Sequence, residues 1–301
     1  MDREAIEFVI DALPRGRTIF YDFEDRFAVL ILAHRLREGP LTIAELKDSH
    51  RAPLLDKPVV KERIAHLGGG VITAEDLLDC WPFSVDAYRL TFATWPDLTV
   101  KPNRSEHQVT RRGYSLVLQL NMPVSHRRSL EKKVGAWRDY TSEGAHPVST
   151  TGELTLAWAR IDLDLTRGEA LIEELQSDWV RDVRLYAESE WSDDPEAWKA
   201  YYSEHLEQRA KRWSQTLLTA TLWFMLEELG LRMIFIHTHE SGIRLKQIRY
   251  GAPPKSIYSD LPKRFCFRPT HNGPSFLLDT KDRHIDSLFD DPETRWHVHT
   301  L

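Results

Sequence analysis

Cysteine is nearly absent from this chain, whose 301 residues include only Cys80 and Cys266, far apart and outside any CxxC spacing. That argues against a disulfide framework and a cysteine-built zinc site, and a reducing cytoplasm is the expected setting. Long apolar runs are missing too. No stretch of 18 uncharged apolar residues occurs, and Met1-Asp-Arg-Glu enters an amphipathic helix pattern with no charged-then-apolar leader. No membrane partner is expected. Positive charge is not in excess: 40 Lys and Arg stand against 46 Asp and Glu, a net charge of −6. Without a basic footprint, nucleic acid is not a favoured partner. Internal repeats and low-complexity tracts are likewise lacking. What remains is rich in large apolar groups, with 42% hydrophobic residues and 10 Trp, 9 Tyr and 12 Phe, the composition of a folded core.

The period of the apolar residues changes near residue 96. Before it the pattern is helical. Ile6, Val9, Ile10 and Leu13 share one face, closed by Pro14 and Gly16, and a second helix runs from about Asp25 to Arg37. Thr42-x-x-Glu45 and Thr73-x-x-Asp76 have the form of N-terminal capping boxes. Short helices in this order suit a helix-turn-helix. Between Arg35 and Arg63, however, seven basic residues meet five acidic ones, a balance that favours a structural cap over DNA binding. Residues 1–96 are therefore expected to form a helical N-terminal subdomain, and residues 97–301 a mixed α/β domain.

In that second part Tyr114–Met122 reads as a strand, and Leu154–Leu165 with Glu169–Leu175 as a hairpin turning at Thr166-Arg-Gly168. A charged, aromatic, helical insertion follows from Asp182 to Arg212, anchored by Trp191, Trp198, Tyr201 and Tyr202. A helix apolar nearly all round is expected over Ser214–Leu229, stopped by Gly230, and then a strand over Leu231–His237. Pro253–Pro262 reads as a turn-rich loop, Arg264–Phe267 as a last strand, and His297 and His299 as part of a frayed tail. The fold class expected is α+β, a mixed α/β arrangement with a mixed sheet.

Two polar clusters fall at strand carboxyl ends, where α/β sheets tend to bind ligands. Glu173-Glu-Leu-Gln-Ser-Asp178 ends the hairpin, and His237-Thr-His-Glu240 ends the later strand. A shared pocket is the favoured reading, with Glu174, Asp178 and His237 as catalytic residues and Gln176, Trp179 and His239 binding substrate. Glu174 is chosen over Glu173 because it shares phase with Gln176 and Asp178. Plainer roles stand beside these: Glu174 or Glu173 pairs across the hairpin with Arg160, and Asp178 caps the following helix. His237 and His239, two apart on an extended segment, can also present imidazoles to a metal, with Glu240, Glu173 or Asp178 completing the site. Lys255, Tyr258 and Arg264, with Lys246 and Lys263, suit a small anionic ligand. No cofactor is named by these residues.

Several segments carry a resemblance. Arg112–Asn121, Leu156–Asp162, Ile172–Trp179 and Pro253–Phe267 resemble a family of bacterial proteins without an assigned activity. Residues 170–265, with the Glu-Glu-Leu-Gln-Ser-Asp-Trp motif, look similar to a module of phage and mobile-element proteins. Their order of hairpin, helix, strand, helix and strand is also similar to the core of GNAT acyltransferases. That likeness implies a group transferase binding acyl-CoA where the hairpin's second strand splays. The glycine loop that holds the pyrophosphate in that family is replaced here by Gln176-Ser-Asp-Trp-Val-Arg181, whose Asp178 repels such an anion. A metal-assisted hydrolase and a non-enzymatic binding or regulatory protein are the alternatives.

Overall fold

A computed structural model of the protein describes residues 1–13, 18–135, 146–149, 153–189, 192, 194–249 and 251–300. Pro14, Gly16 and Trp191, to which the sequence assigns a helix stop and an anchor, lie outside these residues. The fold class is α+β. Among the described residues the strands are β1 (Thr18–Asp22), β2 (Leu41–Thr42), β3 (Val71–Ile72), β4 (Asp86–Trp95), β5 (Ser115–Met122), β6 (Leu154–Asp164), β7 (Glu169–Gln176), β8 (Met233–His237), β9 (Arg268–Thr270) and β10 (Trp296–Thr300). Compactness divides the chain into two units built from separated segments. The first comprises Met1–Phe20, Ala87–Leu163 and Ile172–Thr221, and the second Tyr21–Asp86, Asp164–Leu171 and Leu222–Leu301.

In the first unit β4, β5, β6 and β7 lie side by side in that order. β5 runs antiparallel to both β4 and β6, with Leu118 opposite Phe92 on one side and Ala159 on the other. A register shift at Leu120/Asn121 interrupts the second ladder. Every residue of β5 is buried, and so is β6 from Leu154 to Leu163. Polar side chains on these strands, Gln119, Asn121, Thr155 and Arg160 among them, must therefore find partners inside the protein. The hairpin turns where the sequence places it: Asp164 Oδ1 accepts from Arg167 N, and Gly168 adopts φ +67°. A side chain there would be strained, which is the use of glycine at this point.

Directly after β7 comes the helix Asp178–Glu188. Its N-cap is Ser177, whose hydroxyl accepts from Val180 N at 3.2 Å, so Asp178 is not the cap. The insertion is helical, Asp178–Glu188 being followed by Pro195–Tyr201 and a π-helical turn over Tyr202–Leu206. Trp198 and Tyr201 are its buried anchors. The next helix spans Glu207–Trp223, starting before Ser214, because Glu207 to Lys211 are strong helix formers that need no apolar period.

In the second unit the helix Arg26–Leu36 buries most of its surface. Both predicted capping boxes form: Thr42 accepts from Glu45 N and Thr73 from Asp76 N, with each acid returning to its threonine's backbone. β10 lies between β8 and β9, antiparallel to both. Leu171, Phe235, Leu245, Phe276, Leu277, Ile285, Leu288 and Trp296 form one core cluster. Three expectations are corrected here. Pro253–Pro262 is not a loop, because Lys255–Arg264 is a helix that buries Ile257, Tyr258 and Leu261 at helical spacing. Pro254 precedes it, where an N–H is not needed, and Pro262 falls in its last turn. Arg264–Phe267 consequently ends a helix instead of forming the final strand. That strand is β10, which holds His297 and His299 in a ladder between two neighbours, so they are not frayed. Among the described residues no helix is long and apolar enough to cross a membrane.

Candidate active site

The carboxylate of Asp178 is the centre of a polar cluster inside the first unit. It sits in the first turn of its helix, next to the end of β7, and its side chain is 1% exposed. Oδ1 receives Nδ1 of His146 at 2.9 Å and the amide of Gln176, while Oδ2 receives Trp158 Nε1 at 3.2 Å. Arg181, one turn along the helix, approaches Oδ1 at 3.3 Å. Burial pushes this carboxyl up, yet the bonds from His146, Gln176 and Trp158 together outweigh it and hold the group below its ordinary range. Asp178 is therefore an ionised acceptor whose lone pairs are committed to named donors.

His146 lies with Pro147, Val148 and Ser149 between β5 and β6. A backbone bond from Val148 N to His146 O closes a tight turn there. A carboxylate that accepts from Nδ1 favours, in the neutral ring, the tautomer with its proton on Nδ1, and Gln176 Nε2 lies 3.1 Å from the same nitrogen. Aromatic rings surround the imidazole, Trp158 at 5.5 Å and Trp95 at 6.3 Å between centroids, both steeply inclined to it. The two tryptophans lie nearly parallel at 6.5 Å.

A cavity of about 670 Å³ opens beside this cluster. Its wall includes His146, Trp95, His107, Gln119, Thr91 and Phe92, with Pro147, Val148 and Ser149 from the segment that carries the imidazole. This is the size of a small-ligand pocket, and polar side chains, Asp97 and Thr94 among them, share its wall with apolar ones.

Arg160 braces the same region. Its guanidinium, 1% exposed, donates to the carbonyls of His107 and Gln108 and to Glu174 Oε2 at 2.6 Å, and lies 5.6 Å from the centre of the Trp95 ring. Of the two candidate glutamates Glu174 is thus the cross-strand partner of Arg160. Glu173 is fully buried and accepts from Thr110 N at 3.1 Å and Thr110 Oγ1 at 2.9 Å. Trp179 points into packing, stacked on Tyr201 at 6.1 Å.

The remaining candidates belong to the second unit. His237 ends β8, fully buried, with its ring 5.0 Å from that of Trp296. His239 does not continue the strand. Thr238 is the N-cap of the helix His239–Lys246, so the alternation that put both imidazoles on one face breaks there. His239 Nε2 reaches Pro253 O at 3.0 Å. Tyr258 is buried, and its carbonyl accepts from His297 Nε2 at 3.0 Å. Lys255 and Arg264 stand at opposite ends of one helix, roughly 13 Å apart along its axis. Among the described residues no group of three or more His, Cys, Asp and Glu is arranged to hold a metal.

His146 is the residue that sequence reasoning missed. It stands in Gly144-Ala-His-Pro-Val-Ser149, which has neither period nor motif, and only the excess of polar groups at Gln176–Asp178 hinted at a partner. Comparison with known protein families, with curated proteins and with solved structures finds no match for this chain.

Proposed function

We propose that this chain is a group transferase in which His146, oriented by Asp178, is the general base. The bond from His146 Nδ1 to Asp178 Oδ1 at 2.9 Å, at the wall of a small-ligand cavity, carries this reading. A carboxylate on Nδ1 selects the tautomer with its lone pair on Nε2 and stabilises the imidazolium formed when Nε2 takes a proton. Nε2 removes that proton from an acceptor hydroxyl or amine as it attacks the transferred group. The proton then passes to the leaving group, so the imidazole ends the cycle neutral. The apolar part of the wall, Trp95, Phe92, Pro147 and Val148, favours an organic acceptor over bulk water. A small acyl donor suits the site better than acyl-CoA, because Asp178 occupies the helix turn where a pyrophosphate would sit. Metal-assisted hydrolysis at His237 and His239 has less support, since His239 Nε2 is engaged by a backbone carbonyl.

A chromogenic acyl donor, p-nitrophenyl acetate, tests this with and without benzylamine as acceptor. The expected result is amine-stimulated release of p-nitrophenolate, lost in His146→Gln. Equal release by wild type and His146→Gln would overturn the assignment and leave a binding or regulatory protein as the better reading.

A further inference from the structure

In the wall of the cavity and behind it, β4, β5 and β6 carry a ring of polar groups, most of them buried, whose hydrogen bonds the reading above does not use. Asn121 Nδ2 donates to Thr91 Oγ1 at 2.7 Å, and the Thr91 hydroxyl donates to Gln119 Oε1. Gln119 Nε2 donates to Pro147 O at 2.7 Å. On the other side the Thr155 hydroxyl donates to Asn121 Oδ1 at 2.7 Å and accepts from Ser149 N at 2.8 Å. Each hydroxyl donates once and each amide has one orientation that satisfies its neighbours, so a single arrangement of protons completes the network. Gln119, Asn121 and Thr155 are all buried, where an unmade bond is costly.

The ring grips the chain at Pro147 O and Ser149 N, one and three residues after His146. Neither grip is needed for the sheet, whose ladders β4/β5 and β5/β6 are made by the backbone. β5 and β6 thus commit buried polar side chains, and β4 the part-buried Thr91, to residues 147–149, which lie in no helix or strand. The reason for such an outlay is the direction of the imidazole. The register shift at Leu120/Asn121 falls within the ring, as expected where a strand re-aims a side chain.

We infer that Thr155, acting with Asn121, Thr91 and Gln119, is a positioning residue that sets the tautomer and direction of His146 by clamping residues 147–149. This rests on His146 being the base. The clamp replaces the rigidity that a helix or strand would otherwise give a functional side chain.

Long-range ¹H–¹⁵N correlation of the histidine-labelled full chain, at about pH 8 where imidazole is neutral, separates the two claims. Wild type is expected to show His146, assigned by its loss in His146→Gln, as the Nδ1–H tautomer alone. Thr155→Ser keeps the hydroxyl and should retain that spectrum. Thr155→Val keeps the shape but removes the hydroxyl, and should move the His146 nitrogens toward the values of mixed tautomers. The His107 and His239 signals are the internal controls and should stay in place. A purely structural threonine would lower the melting temperature and leave the His146 nitrogens unchanged, which would overturn the positioning role. Wild type lacking the Nδ1–H tautomer would instead overturn the base assignment itself. Should Thr155→Val not fold, Gln119→Met releases the same segment at Pro147 O and is read the same way.

Discussion

Asp178 and His146, thirty-two residues apart in the chain, meet through a 2.9 Å bond between Oδ1 and Nδ1. The carboxylate is buried and holds three further donors, so the imidazole joins a preorganised acceptor and does not create one.

Asp178→Asn tests that relationship. The amide presents an N–H as well as an oxygen, so the Nδ1–H tautomer loses its preference. The transfer rate should fall by about 10²–10⁴-fold, the usual contribution of a positioned base. Steady-state kinetics with p-nitrophenyl acetate checks it, and a drop of less than tenfold would point to another base.

Acid stability follows from the same carboxylate. Its folded value lies below its unfolded one, so its contribution is complete above the unfolded pKa of about 4 and is lost as pH falls through the lowered folded value. Urea unfolding between about pH 5 and 2 should show a shallower acid limb in Asp178→Asn than in wild type.

His299 adds a second limb with its own window. Burial, first, and then the neighbouring Arg51, with His34, His50 and Arg268 after it, push this imidazole down to about 3. It is neutral when folded and free to charge when unfolded. Stability is therefore kept above the unfolded value of about 6.5 and declines as pH falls from there toward 3. His299→Gln should flatten the pH dependence between those limits, whatever its effect at neutral pH.

Arg160 and Glu174 separate scaffold from chemistry. Removing the guanidinium in Arg160→Met strands Glu174 and two carbonyls, and should cost about 3–5 kcal/mol. Glu174→Gln leaves Arg160 with both carbonyls and should cost less, about 1–3 kcal/mol, with the transfer rate retained. Denaturant melts and initial rates on the same preparations decide it. A rate lost in folded Glu174→Gln would return Glu174 to a catalytic role.

Local chemistry in the sequence carried a good part of this fold. Thr42 with Glu45 and Thr73 with Asp76 form their boxes because every partner lies within one helical turn. Gly168 turns the hairpin, and the hairpin in turn makes Arg160 and Glu174 neighbours. Where two local signals competed, the shorter-range one misled. The prolines around Ile257, Tyr258 and Leu261 suggested a loop, although those three residues already marked a helical face that tertiary packing could bury. The pairing of Asp178 with His146 has no local signal at all. Asp178 was legible as a polar group that packing alone would not place there, and its partner stands in a segment without periodicity. Only the stacking of β4, β5 and β6 brings Gln119 and Thr155 to that segment and turns its imidazole toward the carboxylate. Periodicity and caps depend on neighbours in the chain, whereas the direction of a side chain on an irregular segment depends on whichever distant groups reach its backbone.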